Sequence, residues 1–221
     1  MPKAVFVTDF DGTMTANDFY KLAAERLLPP DALTPWDGYR AGRLTHFQAL
    51  RDIFARLRAP ESALLELVAA MDPDPLLARS VARLRAAGWV VAVASAGCGW
   101  YISRVLEGLG LAGQVEVHTN PGSYEPETGL RMEAPLDSPF YCAETGVDKA
   151  ALVRFHLARG ARVAFAGDGF ADLPAALETP AERRFARADL AQALRGRGQD
   201  FRPFERWSQV AEALLADPLP L

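Results

Sequence analysis

Acidic and hydroxyl side chains follow apolar segments at three places in this sequence. VFVTDFDGTMT contains Asp9 and Asp11, VVAVASAG contains Ser95, and RVAFAGDGFAD contains Asp168 and Asp172. A buried strand needs none of these groups, so they are expected to serve chemistry at the ends of the strands. Carboxylates act as nucleophiles, as proton donors and acceptors, and as ligands for hard cations.

These polar ends would meet if the three segments were neighbouring parallel strands of one sheet. The four carboxylates would then repel one another unless a cation lay between them, and their oxygen atoms suit Mg²⁺. Lys149, which opens a helical segment before the third strand, adds a positive charge. Ser95 and backbone N–H groups of the loops can hold phosphate oxygens. The pattern therefore predicts a magnesium and phosphate site.

The elements that position these residues are short apolar strands alternating with amphipathic helices. Helical periodicity runs through LLARSVARLRAAG to Gly88, and again from a predicted cap at Asp148 to Gly160. Strands are predicted at Ala4–Thr8, Trp89–Ala94 and Arg162–Ala166, with weaker ones at 114–118 and 184–186 and a hairpin turning near 127–129. The alternation predicts a doubly wound parallel α/β sheet.

Residues 17–75 interrupt this alternation, because they contain helical patterns and no predicted strand. Phe19, Leu22 and Leu27 share one helical face, and a second apolar face runs from Leu44 to Leu57. We therefore predict a core domain of residues 1–16 and 76–221 and a helical cap domain of residues 17–75. An insertion after the first strand lies above the carboxyl ends of the strands, where open α/β sheets bind ligands.

Composition limits the possible partners. The chain has 221 residues, 50% of them hydrophobic, a net charge of −4 and a pI of about 5.5. This charge argues against a nucleic-acid surface, and no apolar run approaches the roughly 20 residues of a membrane span. Two cysteines and an N-terminus without a leader pattern predict a cytoplasmic protein. We expect a monomer or homodimer that acts on a small phosphorylated metabolite.

Four segments, in order, resemble the signatures of the haloacid dehalogenase-like (HAD) hydrolase superfamily. DFDGTMT resembles the first (D-x-D-G-T), Ser95 the second, Lys149 the third, and GDGFAD the fourth (G-D-G-x-x-D). The resemblance covers essentially the whole chain and implies a Rossmann-like core with a C1-type cap. Within the superfamily, the sequence is most similar to the phosphoserine-phosphatase-like subfamily IB. It is closest there to the methionine-salvage 2-hydroxy-3-keto-5-methylthiopentenyl-1-phosphate phosphatases.

The resemblance implies a magnesium-dependent phosphatase that forms an aspartyl-phosphate. Asp9 would be the nucleophile and Asp11 the general acid and base, with Ser95 and Lys149 completing the catalytic set. Magnesium would be bound by Asp9, the backbone carbonyl of Asp11, Asp168 and, directly or in the outer shell, Asp172. The residues implied to contact phosphate are Asp11, Gly12, Ser95, Ala96, Gly97 and Lys149.

Two further residues bear on the substrate. Asp18 matches the acidic residue that reads the amino group in phosphoserine phosphatases, or it is a helix N-cap. Arg51 resembles the arginine that holds the substrate carboxylate in the same enzymes, or it lies on a solvated helix face. The long segment 114–145 is more similar to the methionine-salvage phosphatases, which implies an enol phosphate substrate. Phosphoserine hydrolysis, phosphotransfer to an alcohol and a phospho-acceptor switch are the alternatives.

The remaining polar and aromatic residues are predicted to be structural. The histidines stand apart from the four signatures, so packing or surface roles are predicted for His46, His118 and His156. Aromatic residues near the join between the two predicted domains would either line a pocket or pack there, and packing is the commoner role. These residues are Trp36, Tyr39, Trp100 and Tyr101, and the same two roles were open for Arg40.

Overall fold

The computed structural model describes residues 3–217. Residues 1–2 and 218–221 of the predicted core domain lie outside the described residues. Ten strands are present in the described part of the chain: β1 (Ala4–Thr8), β2 (Trp89–Cys98), β3 (Glu116–Asn120), β4 (Gly122–Glu125), β5 (Gly129–Met132), β6 (Tyr141–Cys142), β7 (Gly146–Val147), β8 (Arg162–Gly167), β9 (Arg184–Ala186) and β10 (Arg202–Pro203).

Helices connect most of these strands. Within residues 3–217 they are α1 (Phe19–Arg26), α2 (Pro35–Arg40), α3 (His46–Phe54), α4 (Glu61–Ala70), α5 (Leu77–Ala86), α6 (Gly99–Gly108), α7 (Lys149–Leu157), α8 (Leu173–Glu178), α9 (Ala188–Arg195) and α10 (Trp207–Leu215), with 3₁₀ turns at Phe170–Asp172 and Ala181–Arg183. None of the described helices combines the length and apolarity that crossing a bilayer requires.

A six-stranded sheet forms the centre of the protein, in the order β10-β9-β8-β1-β2-β3, and all its pairings are parallel. This confirms the predicted doubly wound α/β fold. The chain passes from β1 to β2 and β3 on one side, and returns to β8 on the other side of β1. The connections therefore diverge at β1, and such a switch point opens a crevice at the carboxyl ends of the strands.

The alternation of side chains along β1 supplies both layers of the core. Ala4 and Phe6 belong to one hydrophobic cluster, whereas Val5 and Val7 belong to a second one on the opposite face of the sheet. All of β1 is buried, as expected of a parallel strand covered by helices on both sides. Phe6 stacks on Trp207 of α10 with ring centroids 5.2 Å apart. The opening strand is therefore fixed from both sides.

Strand β2 extends four residues beyond its predicted end at Ala94. Its register with β3 shifts between Ala94 and Cys98, and pairing resumes where Cys98 meets Asn120. The small residues Ala96 and Gly97 follow Ser95 in this irregular part, which a periodicity pattern does not show. The hairpin of β4 and β5 turns between Glu125 and Gly129, in agreement with the predicted turn.

The helical insertion, residues 17–75, contains α1 to α4 and no named strand among its described residues. Thr45 begins α3 with a capping box in which its hydroxyl and the Gln48 side chain bond each other's backbone N–H groups. Contacts outside the chain connections also join the insertion to the core. Among them, the Phe47 N–H donates to the Glu144 carbonyl at 2.8 Å, and the Tyr124 hydroxyl donates to the Ala59 carbonyl. The division into separate core and cap domains stays a prediction.

Replacing Phe6 by alanine should destabilise the protein strongly, because the ring is fully buried and stacks on Trp207. We expect the free energy of unfolding to fall by about 3–5 kcal/mol, as measured by urea denaturation. Val117→Ala on β3, where the side chain is 42% exposed, is the matched control and should cost less than about 0.5 kcal/mol. Equal losses in the two variants would contradict this account of the core.

Candidate active site

Strand register brings the predicted site residues to one edge of the sheet. Thr8 pairs with Val93 of β2 and with Ala166 of β8. Asp9 directly follows Thr8, while Ser95 and Asp168 each lie two residues beyond the partners of Thr8. The polar groups that follow three different strands therefore meet at the carboxyl ends of β1, β2 and β8.

Lys149 joins the ends of two strands. Helix α7 begins at this lysine because Asp148 caps it, with the Asp148 carboxylate accepting from the Ala151 N–H at 2.8 Å. The Lys149 ammonium donates to Asp9 Oδ1 and, at 2.6 Å, to Asp172 Oδ1. Burial by itself would lower the pKa of Lys149, but the Asp172 and Asp9 carboxylates raise it above its usual value. The lysine is therefore held in its charged form.

Asp172 stands at the N-cap position of α8, but its carboxylate does not cap that helix. Its Oδ1 accepts from Lys149, and its Oδ2 accepts from the backbone N–H groups of Asp168 at 3.0 Å and of Gly169 at 2.9 Å. A Cβ at Gly167 would lie 2.6 Å from this carboxyl group, so the glycine allows the close approach. Asp172 thus holds both the lysine and the loop that carries Asp168.

The acidic cluster has a donor set that fits a divalent cation. Carboxylate oxygens of Asp9, Asp168 and Asp172 lie within 4.8 Å of one another. Burial and repulsion by Asp172 raise the pKa of Asp9 and of Asp168. These three carboxylates share the single Lys149 ammonium, and hard oxygen ligands with excess negative charge are the environment that Mg²⁺ prefers. A dication would remove the repulsion.

The turn after β1 depends on glycine. Gly12 has a φ of +70°, and a Cβ at this position would lie 2.4 Å from Asp168 Oδ2. The Thr13 hydroxyl donates to Asp168 Oδ1 at 3.0 Å and makes a longer contact of 3.4 Å with Asp9 Oδ2. The turn therefore brings the end of β1 against the loop after β8.

Asp11 is held by two donors from different elements. The Phe19 N–H at the start of α1 donates to Asp11 Oδ1 at 3.0 Å, and the Tyr101 hydroxyl of α6 donates to Oδ2 at 2.7 Å. Burial raises the pKa of Asp11 to about 6, although these two hydrogen bonds favour the charged form. Both protonation states are therefore accessible near neutral pH.

The irregular end of β2 provides hydroxyl and backbone groups. The Gly97 N–H donates to Ser95 Oγ at 2.9 Å, which leaves the serine proton available to another acceptor. The Asn120 side chain donates to the Ala96 carbonyl at 2.8 Å and fixes this segment. A Cβ at Gly97 would lie 1.9 Å from the Tyr101 hydroxyl oxygen, so only glycine permits the contact between Tyr101 and Asp11.

A cavity of about 600 Å³ lies above these groups. Nearly all of the predicted site residues line it: Asp9, Asp11, Asp18, Ser95, Ala96, Gly97, Lys149, Asp168 and Asp172. Gly12 is absent from this lining, although it shapes the turn beneath the cavity. Arg51 lies elsewhere, on the exposed face of α3, where its guanidinium pairs with Asp52 at 2.9 Å.

The structure places Asp18 at a helix N-cap and on the cavity wall, and its contact with a substrate stays a prediction. It caps α1 by accepting from the Tyr20 N–H at 3.1 Å, and it also lines the cavity. Burial and the nearby Asp11 raise the pKa of Asp18 to about 8, although Lys21 lies 3.7 Å away. Asp18 is therefore largely protonated at neutral pH in the folded protein.

Residues of the helical insertion and of the loop after β8 also line the cavity, among them Tyr20, Trp36, Tyr39, Arg40, His46 and Phe170. The sequence offered a pocket-lining role for Trp36, Tyr39 and Arg40, and no role in the site for Tyr20, His46 and Phe170. Their common property is a position on the cavity side of the insertion or within the GDGFAD loop. The loop position of Phe170 was visible in the sequence, whereas the others depend on how α1, α2 and α3 face the sheet.

Known proteins resemble this chain in sequence and in fold. The sequence profile of the haloacid dehalogenase-like hydrolase family matches residues 6–177. A HAD family hydrolase from Salmonella enterica subsp. enterica serovar Typhi superposes with a TM-score of 0.68 and 16% identity, over 92% of this chain and 67% of that one. A comparison with curated protein sequences gave no match.

Two further solved structures cover 98% of this chain and 99% of their own, each with 18% identity. One is a substrate-bound phosphoserine phosphatase, with a TM-score of 0.64. The other is a phospho-aspartyl intermediate analogue of phosphoserine phosphatase, with a TM-score of 0.63. At these identities the likeness establishes a shared fold.

Replacing Asp18 by asparagine should stabilise the protein increasingly as pH rises. The folded-state pKa of about 8 lies above the ordinary value of 3.8, so ionisation favours the unfolded state and lowers native stability between pH 4 and pH 8. Asparagine keeps the helix cap but does not titrate. At pH 8 we expect the Tm of the variant to rise by about 2–4 °C for each 1 kcal/mol gained in the free energy of unfolding. At pH 4 we expect little gain. Thermal denaturation measures both. A gain that is the same at both pH values would contradict the ionisation argument.

Proposed function

This chain belongs to the haloacid dehalogenase-like hydrolase family, and we propose that it is a magnesium-dependent phosphatase that forms an aspartyl-phosphate on Asp9. The observation that carries the proposal is the pairing of two carboxylates with different environments. Asp9 accepts from the Lys149 ammonium, whereas Asp11 beside it accepts from two neutral donors, the Phe19 N–H and the Tyr101 hydroxyl. A structure of phosphoserine phosphatase that contains an analogue of its phospho-aspartyl intermediate has a similar fold, which supports the same chemistry here.

In the first step, the Asp9 carboxylate attacks phosphorus, and the bond from phosphorus to the leaving oxygen breaks. Asp11, in its acid form, donates its proton to that oxygen. In the second step, Asp11 accepts a proton from water, which attacks the aspartyl-phosphate and releases phosphate. A group with a pKa near 6 can both give and take a proton at neutral pH.

The other residues of the cluster hold charge. Asp9, Asp168 and the backbone carbonyl of Asp11 would bind Mg²⁺, which when bound supplies positive charge for the phosphoryl oxygens. We assign Asp172 to the outer shell, because Lys149 and two backbone N–H groups already occupy its oxygens. Lys149 remains available to balance the charge that Asp9 and the phosphoryl group share.

The phosphoryl oxygens face groups at the end of β2 in this proposal. The Ser95 hydroxyl accepts from the Gly97 N–H and can donate its own proton to a phosphate oxygen. Ser95 is 2% exposed, so this hydrogen bond would form away from competing water. These features favour recognition of a phosphoryl group over recognition of a carboxylate alone.

The substrate is a small phosphomonoester in this proposal. The sequence resemblance favours a methionine-salvage enol phosphate, with phosphoserine as the alternative. For phosphoserine, Arg51 would have to hold the substrate carboxylate, but its guanidinium pairs with Asp52 on an exposed face. Phosphate release from a panel that contains both compounds would discriminate between them.

Asp9→Asn should abolish phosphate release, because an amide cannot act as this nucleophile. We expect kcat to fall by at least about 10³-fold, measured with a colorimetric phosphate assay and an aryl phosphate substrate. Asp31→Asn, at an exposed position outside the cavity lining, is the matched control and should retain full activity. Circular dichroism would verify that both variants fold. Substantial turnover by folded Asp9→Asn would refute the mechanism.

Magnesium should raise the Tm of the native protein even without substrate, because it binds the folded acidic cluster selectively. At a magnesium concentration of 100 times the dissociation constant, the free energy of unfolding should increase by about 2.7 kcal/mol. Thermal denaturation measures the change against a KCl control of equal ionic strength. Asp168→Asn should raise the Tm without magnesium, since it removes a repelling charge, and should lose most of the magnesium response. Equal magnesium responses in the two proteins would exclude Asp168 as a ligand.

A further inference from the structure

Four rings of the helical insertion form one side of the cavity, and we call them the aromatic wall: Tyr20, Trp36, Tyr39 and His46. Trp36 is at the centre of this group. Its ring centroid lies 5.6 Å from that of Tyr20, 5.8 Å from that of Tyr39 and 5.1 Å from that of His46. Tyr39 and His46 also meet edge to face at 5.8 Å.

The aromatic wall packs against the hydrophobic core through Tyr20 and Trp36 and faces the cavity on its other side. Tyr39 is 38% exposed, and the other three rings are only partly buried. Trp36 Nε1 and His46 Nδ1 are buried nitrogens without a hydrogen-bond partner. Polar groups in a finished core are nearly always paired, so unpaired ones on a cavity wall indicate a surface that a ligand completes.

Phe170 brings a fifth ring to the same cavity from the core. It lies between Asp168 and Asp172 in the loop after β8, and it is 65% exposed. A phenylalanine with so much exposed surface gains little from packing in the protein. Its position two residues from Asp168 places an apolar ring beside the proposed phosphoryl site.

Two cations lie beside the aromatic wall. Arg40 pairs with Asp37 at 2.5 Å, whereas Lys21 lies 3.7 Å from Asp18, whose raised pKa leaves its carboxyl group largely uncharged. Burial lowers the pKa of His46 to about 4, so its imidazole is neutral at physiological pH. The rings of the aromatic wall therefore present neutral faces and edges next to the Arg40 and Lys21 cations, which line the same cavity.

We propose that the aromatic wall and Phe170 bind a planar, unsaturated organic group of the phosphomonoester while its phosphoryl group lies at Asp9. This inference rests on the proposed function, because that function places the phosphoryl group. Aromatic rings favour flat partners through offset-stacked and edge-to-face contacts. A cavity of about 600 Å³ has room for such a group together with a phosphate.

Two non-hydrolysable ligands test the proposal: benzylphosphonate and cyclohexylmethylphosphonate, which have the same number of carbon atoms but differ in planarity. Their dissociation constants are measured by calorimetry with the native protein in the presence of Mg²⁺. We expect benzylphosphonate to bind about 2- to 12-fold more tightly, the range for an aromatic pair. The saturated ring is at least as hydrophobic, so burial alone does not give this preference.

Variants assign the preference to these residues. Trp36→Leu and Phe170→Leu should each bring the ratio of the two dissociation constants toward one. The Phe170 side chain is mostly exposed, so that variant is expected to fold even if Trp36→Leu does not. Tyr141→Leu, which changes a 40% exposed ring on β6 away from the cavity lining, should keep the native ratio.

Three results would overturn the inference: equal affinity for the two ligands, no binding of either ligand, or a native ratio in Phe170→Leu. A second ligand pair, 3,3-dimethylbutylphosphonate and its trimethylammonium analogue, tests recognition of a cation by the same rings. Strong preference for the ammonium without preference for benzylphosphonate would also overturn it. A binding preference together with no phosphate release from the aryl phosphate substrate would refute the proposed function and leave the aromatic wall as a binding surface.

Discussion

The buried ammonium of Lys149, held between the carboxylates of Asp9 and Asp172, is the interaction on which the rest of the site depends. It joins the end of β1, the start of α7 and the loop after β8. Removing one partner of such a buried ion pair costs about 3–5 kcal/mol, because the remaining charges lose their compensation. Asp172 then transmits this constraint through its bonds to the Asp168 and Gly169 N–H groups.

One ammonium does not balance the charge of the whole acidic cluster, and this imbalance favours the binding of a cation. Burial raises the pKa of Asp9, Asp11 and Asp168 together, so the folded protein holds carboxylates that water would stabilise better. The sheet topology imposes this cost, since β1 lies between β2 and β8 and their polar ends must meet. A bound cation would relieve this cost by adding positive charge in a fixed position, and the same charge would attract a phosphoryl group.

Sequence predicted the sheet and most of the site because both depend on short local patterns. Buried strands need apolar runs, and carboxylates directly after them can only lie at the strand ends. The contact between Tyr101 and Asp11 joins residues 90 positions apart, so no local pattern reports it. Trp36 and Tyr39 were candidate pocket residues in the sequence, but their assembly with Tyr20 and His46 was not predicted. The sequence also left open whether Arg51 holds a substrate carboxylate or lies on an exposed helix face. Helical periodicity gives a buried face without saying which neighbour covers it. The extension of β2 depends on its pairing with β3.

The start of α1 contacts both Asp11, the proposed proton donor, and the aromatic wall, the proposed binding surface for the organic group of the substrate. The Phe19 N–H holds Asp11, and the Phe19 ring stacks at 4.2 Å on Tyr101, the second donor to the same carboxylate. The next residue, Tyr20, belongs to the aromatic wall. A shift of α1 that opened the cavity would therefore also remove a donor that favours the charged form of Asp11. Because adjacent residues serve both proposed tasks, the insertion belongs to the proposed reaction centre and does more than cover it.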